Sequence, residues 1–213
     1  MTHEKLLCVG NPAFDKVEFP ILANLPDSKG EALVIAKDYT ESKVLYEKGA
    51  TKEAFQKNYK DYEIIHFAGH YFIEPGSSLA SKLIMAKSSE NANDNVLTNG
   101  EIIGEKLSKT KLVVLAACAT GVEGSFFDEG LAGLSRTFLA TGVPVVVASE
   151  WQVDSAATRE LMQNFHRYRT QEKLSSVRSL QRAQLDMAGG SNPAYRQPYF
   201  WAAFAAFGGY ANF

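Results

Sequence analysis

With 213 residues, the chain is long enough for one large domain with a substantial core, and its 46% hydrophobic and 22% charged residues are the balance of an ordinary globular protein. Its 22 basic and 24 acidic residues give a formal net charge of −2, so no basic surface favours binding to DNA or RNA. No apolar run approaches the roughly 20 residues that cross a bilayer, and the first residues lack the features of a signal peptide, which argues against a membrane protein.

The predicted elements alternate between strand and helix along the chain. Strands are predicted where short apolar runs end at turn residues, at 6–9, 43–46, 64–68, 83–85, 112–117, 143–148 and 199–207. Helices are predicted where apolar residues recur at helical spacing, at 30–39, 51–59, 98–107, 131–142, 154–165 and 176–188. The run at 112–117 is apolar on both faces, as expected of a central strand.

This alternation predicts an α/β fold, with a mostly parallel sheet covered by helices on both faces, in a single domain over residues 1–213. The segment 74–96 is predicted to be loop apart from its one short strand. Within it, the polar stretch 88–95 is a candidate for regulated movement or self-cleavage, or for plain disorder.

The cysteines and histidines show no metal-binding pattern. Cys8 and Cys118 lie in separate strand-like runs, and none of the four histidines stands at zinc-ligand spacing from them. We therefore expect a reducing, cytoplasmic setting, with no metal and no other cofactor. Cys8, in the middle of a strand, is interpreted as a small apolar core residue. His3, His66 and His166 are interpreted as surface or packing residues, with His66 either facing the core or supporting His70.

Reactive residues stand just past the ends of three of the predicted strands. In open α/β sheets, ligands bind beyond the carboxyl ends of the strands, where the loops gather. His70 follows the strand at 64–68, Cys118 follows the strand at 112–117, and Glu150 and Trp151 follow the strand at 143–148. If the first two strands are neighbours, their ends lie roughly 5 Å apart. A thiol and an imidazole would then meet.

Such a pair suits nucleophilic catalysis. A free thiol has a pKa of about 8.5, and a nearby imidazole can favour the thiolate and later protonate a leaving amine. Gly121 and Gly124 allow a tight turn after Cys118, where backbone N–H groups could stabilise an oxyanion. From position alone, a packing role and a catalytic role are equally good interpretations of Cys118. For a loop histidine such as His70, a packing or surface role is the commoner one. The GxSxG, P-loop and GxGxxG signatures do not occur.

Several ordered segments resemble the CHAT family, the caspase-like group related to separases. The matching segments are IIHFAGH at 64–70, LTNGEI at 97–102, VVLAACATG at 113–121, EGLAGLSR at 129–136, VASEWQVD at 147–154 and YFWAAF at 199–204. The opening VGNP at 9–12, Leu25-Pro26 and Glu31 fit as well, so the resemblance covers nearly the whole chain.

The resemblance implies a caspase-like three-layer sandwich and a cysteine endopeptidase, a thiol protease with a protein substrate. It assigns His70 and Cys118 as the catalytic dyad, and the backbone N–H groups of Tyr71 and Cys118 as oxyanion donors. Family members often carry helical repeats, which implies a regulatory protein or an attached helical-repeat module as activator. The family usually has glycine after the catalytic histidine, and Tyr71 in that place is expected to narrow the site.

In caspase-like enzymes, the loop after the strand that follows the nucleophile helps to line the pocket for the residue before the cut. Here that loop begins at Glu150, where the family more often has an apolar residue, and it also contains Trp151 and Asp154. An acidic pocket would favour Arg or Lys in the substrate through charge pairing. Asp154 has an alternative role as the cap of the next helix, which we favour, and Trp151 as a core residue.

Two other functions stay open at this point. One is a non-catalytic interaction module that keeps an idle dyad, for which Tyr71 is the supporting feature. The other is an α/β cysteine hydrolase acting on a small molecule, which the family resemblance disfavours.

Overall fold

The computed structural model describes residues 4–90, 92–120, 130–152 and 154–209, of which 118–120 and 130–132 through their backbone only. The strands are β1 (Lys5–Pro12), β2 (Glu41–Glu47), β3 (Ile64–Ala68), β4 (His70–Phe72), β5 (Lys82–Ile84), β6 (Val96–Thr98), β7 (Leu112–Leu115), β8 (Cys118–Thr120), β9 (Val145–Ser149) and β10 (Phe204–Gly208). The α-helices are α1 (Pro26–Ile35), α2 (Lys52–Asn58), α3 (Asn99–Ile103), α4 (Gly130–Ala140), α5 (Ser155–Thr170) and α6 (Ser176–Gly189).

The larger sheet has the strand order β10-β9-β7-β3-β1-β2. Its neighbouring strands are parallel except for β10, which runs antiparallel to β9 at one edge. Parallel neighbours need a crossover connection, and helices supply it between most of these strands. The carboxyl ends of β1, β3, β7 and β9 consequently lie along one edge of the sheet.

Each face of this sheet is covered by its own hydrophobic core. Alternate residues of β1 show the division, since Leu6 and Cys8 belong to one core while Leu7 and Val9 belong to the other. Helices α1, α5 and α6 pack in the first core, and α2, α3 and α4 in the second. This arrangement confirms the predicted α/β fold with a mostly parallel sheet between two helical layers.

A smaller sheet continues the larger one beyond the carboxyl ends of β3 and β7. Its order is β6-β5-β4-β8, with β4 and β8 parallel. Only Gly69 separates β3 from β4, and a Cβ at this position would lie 2.9 Å from Phe67 and 3.0 Å from Pro12. Glycine therefore lets the chain pass from one sheet into the next without a clash.

The end of β1 differs from the prediction. The strand continues through Gly10, Asn11 and Pro12, which were expected to stop it, with a register shift between Gly10 and Pro12 in its pairing with β2. Asn11 takes a left-handed conformation with φ of 48°, so the turn residues form an irregularity inside the strand rather than its end. Helix α1 begins at Pro26, earlier than predicted, because proline is well tolerated at the first helical position.

Three other boundaries were wrong. The last strand begins at Phe204 rather than near Tyr199, because Pro193 and Pro198 open two short 3-10 helices before it. The loop predicted at 74–96 gives way at Val96 to β6, which pairs with β5. The helix predicted at 98–107 ends at Ile103, four residues earlier than predicted. Among the described residues, no helix has the length and apolar character needed to span a bilayer.

Candidate active site

The two sheets bring His70 and Cys118 to facing positions. In the larger sheet, Phe67 of β3 pairs with Leu115 of β7. Both chains then advance by three residues, and the Cα of His70 pairs with the Cα of Cys118 in the smaller sheet. The condition set from the sequence, that these two strands are neighbours, is therefore met, and the backbone places both residues at the carboxyl edge of the larger sheet.

The imidazole of His70 is buried, at 5% exposure, and one of its nitrogens has a defined partner. Nε2 lies 2.7 Å from the carbonyl oxygen of Ala23. Because a carbonyl only accepts, Nε2 must carry the proton and donate it to this bond. In the neutral ring, Nδ1 is then an unprotonated acceptor.

Nδ1 of His70 is also buried, and it has no hydrogen-bond partner within the part of the chain described here. Burial lowers the pKa of His70 below its usual value, and the bond to the Ala23 carbonyl opposes this effect without reversing it. The ring of Phe14 meets the imidazole edge to face, with 5.4 Å between the ring centroids, and contributes to this apolar setting. Within the described residues, the site thus holds an imidazole that is protonated on Nε2 and has an unpaired lone pair on Nδ1.

The other cysteine has no such environment. The Cys8 side chain is completely buried in the first core, as predicted. Burial, and secondarily the nearby Glu31 carboxylate, raises the pKa of the Cys8 thiol well above its usual value. Cys8 is therefore a protonated packing residue. The predicted turn at Gly121 and Gly124 lies outside the described residues, as does His3.

Tyr71 does not narrow the site, contrary to the expectation. Its side chain is 1% exposed and packs in the second core, on the opposite face of β4 from His70. Asn99 Nδ2 donates to the Tyr71 hydroxyl over 2.9 Å. The residue that departs from the family pattern is therefore accommodated inside the protein, away from the edge that His70 and Cys118 share.

The three residues predicted to bind substrate lie beyond the end of β9. The Asp154 side chain accepts a hydrogen bond of 2.9 Å from Ala157 N and caps α5. Trp151 is half-buried against the first core, and its Nε1 donates to Tyr199 O over 3.1 Å. Glu150 is tied through its backbone N–H to Ala203 O at 2.8 Å, and its side chain is exposed.

A narrow crevice lies between the end of β7 and the start of α5. Its volume of about 20 Å³ holds little more than one water molecule. The lining residues are Leu25, Ser28, Gly69, Ala116, Ala117, Ser149, Ser155, Thr158 and Phe204. Ser155 Oγ donates over 3.2 Å to Asp27, whose carboxylate also lies 3.7 Å from Arg159. An acidic side chain therefore contacts Ser155, one of the residues that line the crevice.

The sequence did not predict a buried polar network under the site. His66 faces the core rather than His70, with Nε2 2.7 Å from Glu31 Oε1 and Nδ1 3.1 Å from His166 Nε2. Tyr39 then bridges His166 Nδ1, at 2.7 Å, and Arg169 Nη1, at 3.3 Å. The sequence signal for this network was the presence of two polar residues, His66 and Glu31, within otherwise apolar patterns. No group of potential metal ligands occurs among the described residues.

Comparison with known structures identifies the class of fold. The Arg-specific cysteine proteinase gingipain R superposes with a TM-score of 0.60 at 13% identity, over 96% of this chain and 46% of that one. A complex of the Porphyromonas gingivalis RgpB pro- and mature domains gives 0.59 at 13% identity, over 96% of this chain and 47% of that one. The chain thus spans about half the length of these proteins. The fold is that of the caspase-like cysteine peptidases, as predicted.

The family itself follows from the sequence. The CHAT domain family model matches residues 1–209, and this chain belongs to the CHAT family. The Drosophila initiator caspase Dronc is a more distant structural relative, with a TM-score of 0.49 at 10% identity, over 97% of this chain and 82% of that one. No curated protein matches the sequence.

Proposed function

We propose that this chain is a cysteine endopeptidase in which Cys118 is the nucleophile and His70 the general acid and base. The observation that carries the proposal is the register of β4 and β8, which pairs His70 with Cys118 while the buried Nδ1 of His70 has no partner among the described residues. A nitrogen lone pair that is excluded from water and left unpaired is costly in a purely structural residue. A thiol proton supplied by Cys118 would satisfy it.

In this proposal, Nδ1 of His70 takes the proton of the Cys118 thiol as the sulfur attacks the carbonyl carbon of a peptide bond. The carbonyl oxygen becomes an oxyanion, for which the backbone N–H groups of Tyr71 and Cys118 are the proposed donors. His70 then returns the proton to the leaving amine, and the C–N bond breaks to leave a thioester. Water, deprotonated by His70, attacks the thioester and releases the acid and the thiol.

The crevice beside Ala116 and Ala117 is the proposed site for the substrate side chain that precedes the cut. It is too small for a side chain as it stands, so it would have to open before a substrate side chain could enter. Asp27 bonds to Ser155 of its lining, Glu150 and Asp154 after β9 both have exposed side chains, and Trp151 would form a wall. These carboxylates favour Arg or Lys at that position. Gingipain R, of similar fold, is described as Arg-specific.

The partners of this activity would be a protein substrate and a regulatory protein or helical-repeat module that opens the site. A cytoplasmic setting suits a reactive thiol, since the reducing environment keeps it free. The proposal includes no metal and no cofactor, because the described chemistry needs only the thiol, the imidazole and water.

Activity can be tested with the protein and a pool of peptide reporters, with the residue before the cut varied. Cys118→Ala should abolish cleavage without loss of folding, whereas Cys8→Ala, a matched loss of one thiol, should keep it. A peptide-based thiol trap should modify Cys118 far faster than Cys8. Equal, slow labelling of both cysteines, with no cleavage of any reporter even after addition of candidate activators, would favour the non-catalytic interaction module instead.

A further inference from the structure

Two hydrogen bonds from one asparagine hold the segment whose carbonyl accepts the His70 proton. Asn11 Oδ1 accepts from the backbone N–H of Leu25 over 3.0 Å, and its Nδ2 donates to Asn24 Oδ1 over 2.9 Å. Ala23, whose carbonyl oxygen lies 2.7 Å from His70 Nε2, directly precedes these two residues. The Asn11 side chain is 4% exposed, so its two bonds are largely protected from water.

The backbone at Asn11 is shaped for this task. Its φ of 48° lies in the left-handed region, which asparagine adopts more readily than most residues. The register with β2 shifts at this point, since Gly10 pairs with Tyr46 and Pro12 with Glu47. An irregularity of this kind redirects a side chain out of the normal strand alternation. Here the redirected amide meets the segment that precedes α1.

That segment needs an external anchor. Ala23 and Asn24 are exposed, and Leu25, the residue before α1, makes no side-chain capping bond. On its N-terminal side Ala23 is held by Leu22, which is buried against Phe19 and Ile84, but the exposed Asn24 on its C-terminal side provides no such burial. The Asn11 amide lies at the end of β1 and bonds to Asn24 and Leu25, the two residues that follow Ala23. It thereby fixes the chain on the C-terminal side of the Ala23 carbonyl.

We propose that Asn11 is a positioning residue for His70. By fixing the Ala23 carbonyl, it keeps the imidazole proton on Nε2 and leaves Nδ1 unprotonated toward Cys118. Without it, a displaced carbonyl would leave a buried Nε2–H without an acceptor, and the tautomer with the proton on Nδ1 would gain population. That tautomer cannot take a thiol proton. The catalytic meaning of this role rests on the proposed function, but the tautomer itself does not.

The test is Asn11→Gly, which removes both side-chain bonds and retains a residue that tolerates positive φ. Lys173→Gly is the matched control, because Lys173 has a similar φ of 55° and lies exposed between α5 and α6. Imidazole ¹⁵N spectra of each protein report the tautomer, with the His70 signals assigned by their loss in His70→Gln. The wild type and Lys173→Gly should show an unprotonated Nδ1. In Asn11→Gly the two ¹⁵N shifts should move toward each other.

Alkylation of Cys118 by iodoacetamide, followed by mass spectrometry with Cys8 as internal reference, gives the second readout. Partial loss of the productive tautomer should slow this reaction by about tenfold or more in Asn11→Gly, a fraction of the roughly 10²–10⁴-fold that a general base typically contributes. Unchanged ¹⁵N shifts in a folded Asn11→Gly would overturn the positioning role. Should Asn11→Gly not fold, Asn24→Ala decides, because it alters an exposed partner of the same amide, and it too should move the shifts.

The two proposals fail in different ways. If the shifts move in Asn11→Gly but Cys118 of the wild type never reacts faster than Cys8, the positioning of His70 stands and the peptidase proposal falls. If wild-type Cys118 is reactive and Asn11→Gly changes neither the shifts nor the rate, the peptidase proposal stands and Asn11 has only a packing role.

Discussion

His66 Nε2 lies 2.7 Å from Glu31 Oε1, and neither side chain is more than 1% exposed. The bond joins α1 to β3. A second bond joins the segments next to them, because Ala23, shortly before α1, accepts from His70, shortly after β3. A single proton arrangement satisfies the whole network. Arg169 donates to the Tyr39 oxygen, Tyr39 donates to His166, His166 donates to His66, and His66 donates to Glu31.

The buried pair should be important for stability. We expect His66→Ala to lower the free energy of unfolding by about 3–5 kcal/mol, because it leaves the Glu31 carboxylate buried without its partner. Urea unfolding followed by circular dichroism measures the change. Lys109→Ala, which removes the exposed ion pair with Asp61, is the control and should leave the midpoint where it is. Equal midpoints for wild type and His66→Ala would contradict the role assigned to this bond.

The network also predicts how stability depends on pH. Burial first, then the neighbouring His66 and Arg169, lower the pKa of His166 well below its usual value. In the unfolded chain His166 therefore becomes protonated near pH 6.5, whereas in the folded chain it stays unprotonated at that pH. The free energy of unfolding is consequently retained above pH 6.5 and falls below it. This histidine alone contributes a slope of about 1.4 kcal/mol per pH unit once it is fully protonated in the unfolded state.

Unfolding free energies of wild type and His166→Gln, measured between pH 7 and pH 5, isolate this contribution. The variant should be less stable at pH 7 because it alters the contacts of Tyr39 and His66, but its stability should fall less steeply toward pH 5. A parallel fall of the two curves would show that His166 is protonated in the folded protein. The carboxylates titrate in both proteins and cancel in the comparison.

The contact between Phe14 and His70 leads to a prediction about the pKa of His70. Phe14→Ala should raise the pKa of His70 toward its ordinary value, because it lets water reach an imidazole whose pKa is lowered chiefly by burial. The Hε1 proton resonance of His70, followed by NMR over the acid range, measures this pKa without any substrate. Phe19→Ala is the matched control, since Phe19 contacts Phe72 rather than His70. A His70 pKa that is identical in wild type and Phe14→Ala would exclude this cause.

The sequence predicted the parts of the site that depend on strand ends. Apolar runs located β3 and β7, and the rule for open sheets singled out His70 and Cys118, whose Cα atoms the structure pairs. The predicted placement of Asp154 as a helix cap was also correct, since capping needs only a short acceptor side chain before a helix. The catalytic roles of His70 and Cys118, and the oxyanion role of the Tyr71 and Cys118 N–H groups, stay predictions.

Other parts could not be predicted from the sequence for identifiable reasons. Strands β4 and β8 have three residues each, too few for a period-two pattern to emerge. The acceptor for His70 is a backbone carbonyl, which any residue at position 23 would supply, so Ala23 carries no sequence signal. Gly10-Asn11-Pro12 has the composition of a turn, and only tertiary pairing shows that these residues continue β1.

Asp154 allows its two proposed roles to be separated by choice of substitution. Asp154→Asn keeps an oxygen that accepts from Ala157 N, so the cap and the stability should be retained while the charge is lost. Asp154→Ala removes both and should cost about 1 kcal/mol, typical of a lost cap. If Asp154 also attracts a basic substrate residue, both variants should lower kcat/KM for an Arg reporter while a neutral reporter is cleaved as before. Thermal unfolding and the two reporters measure these effects. Wild-type selectivity in Asp154→Asn, combined with lost selectivity in Glu150→Gln, would leave Asp154 as a cap alone and assign the recognition of charge to Glu150.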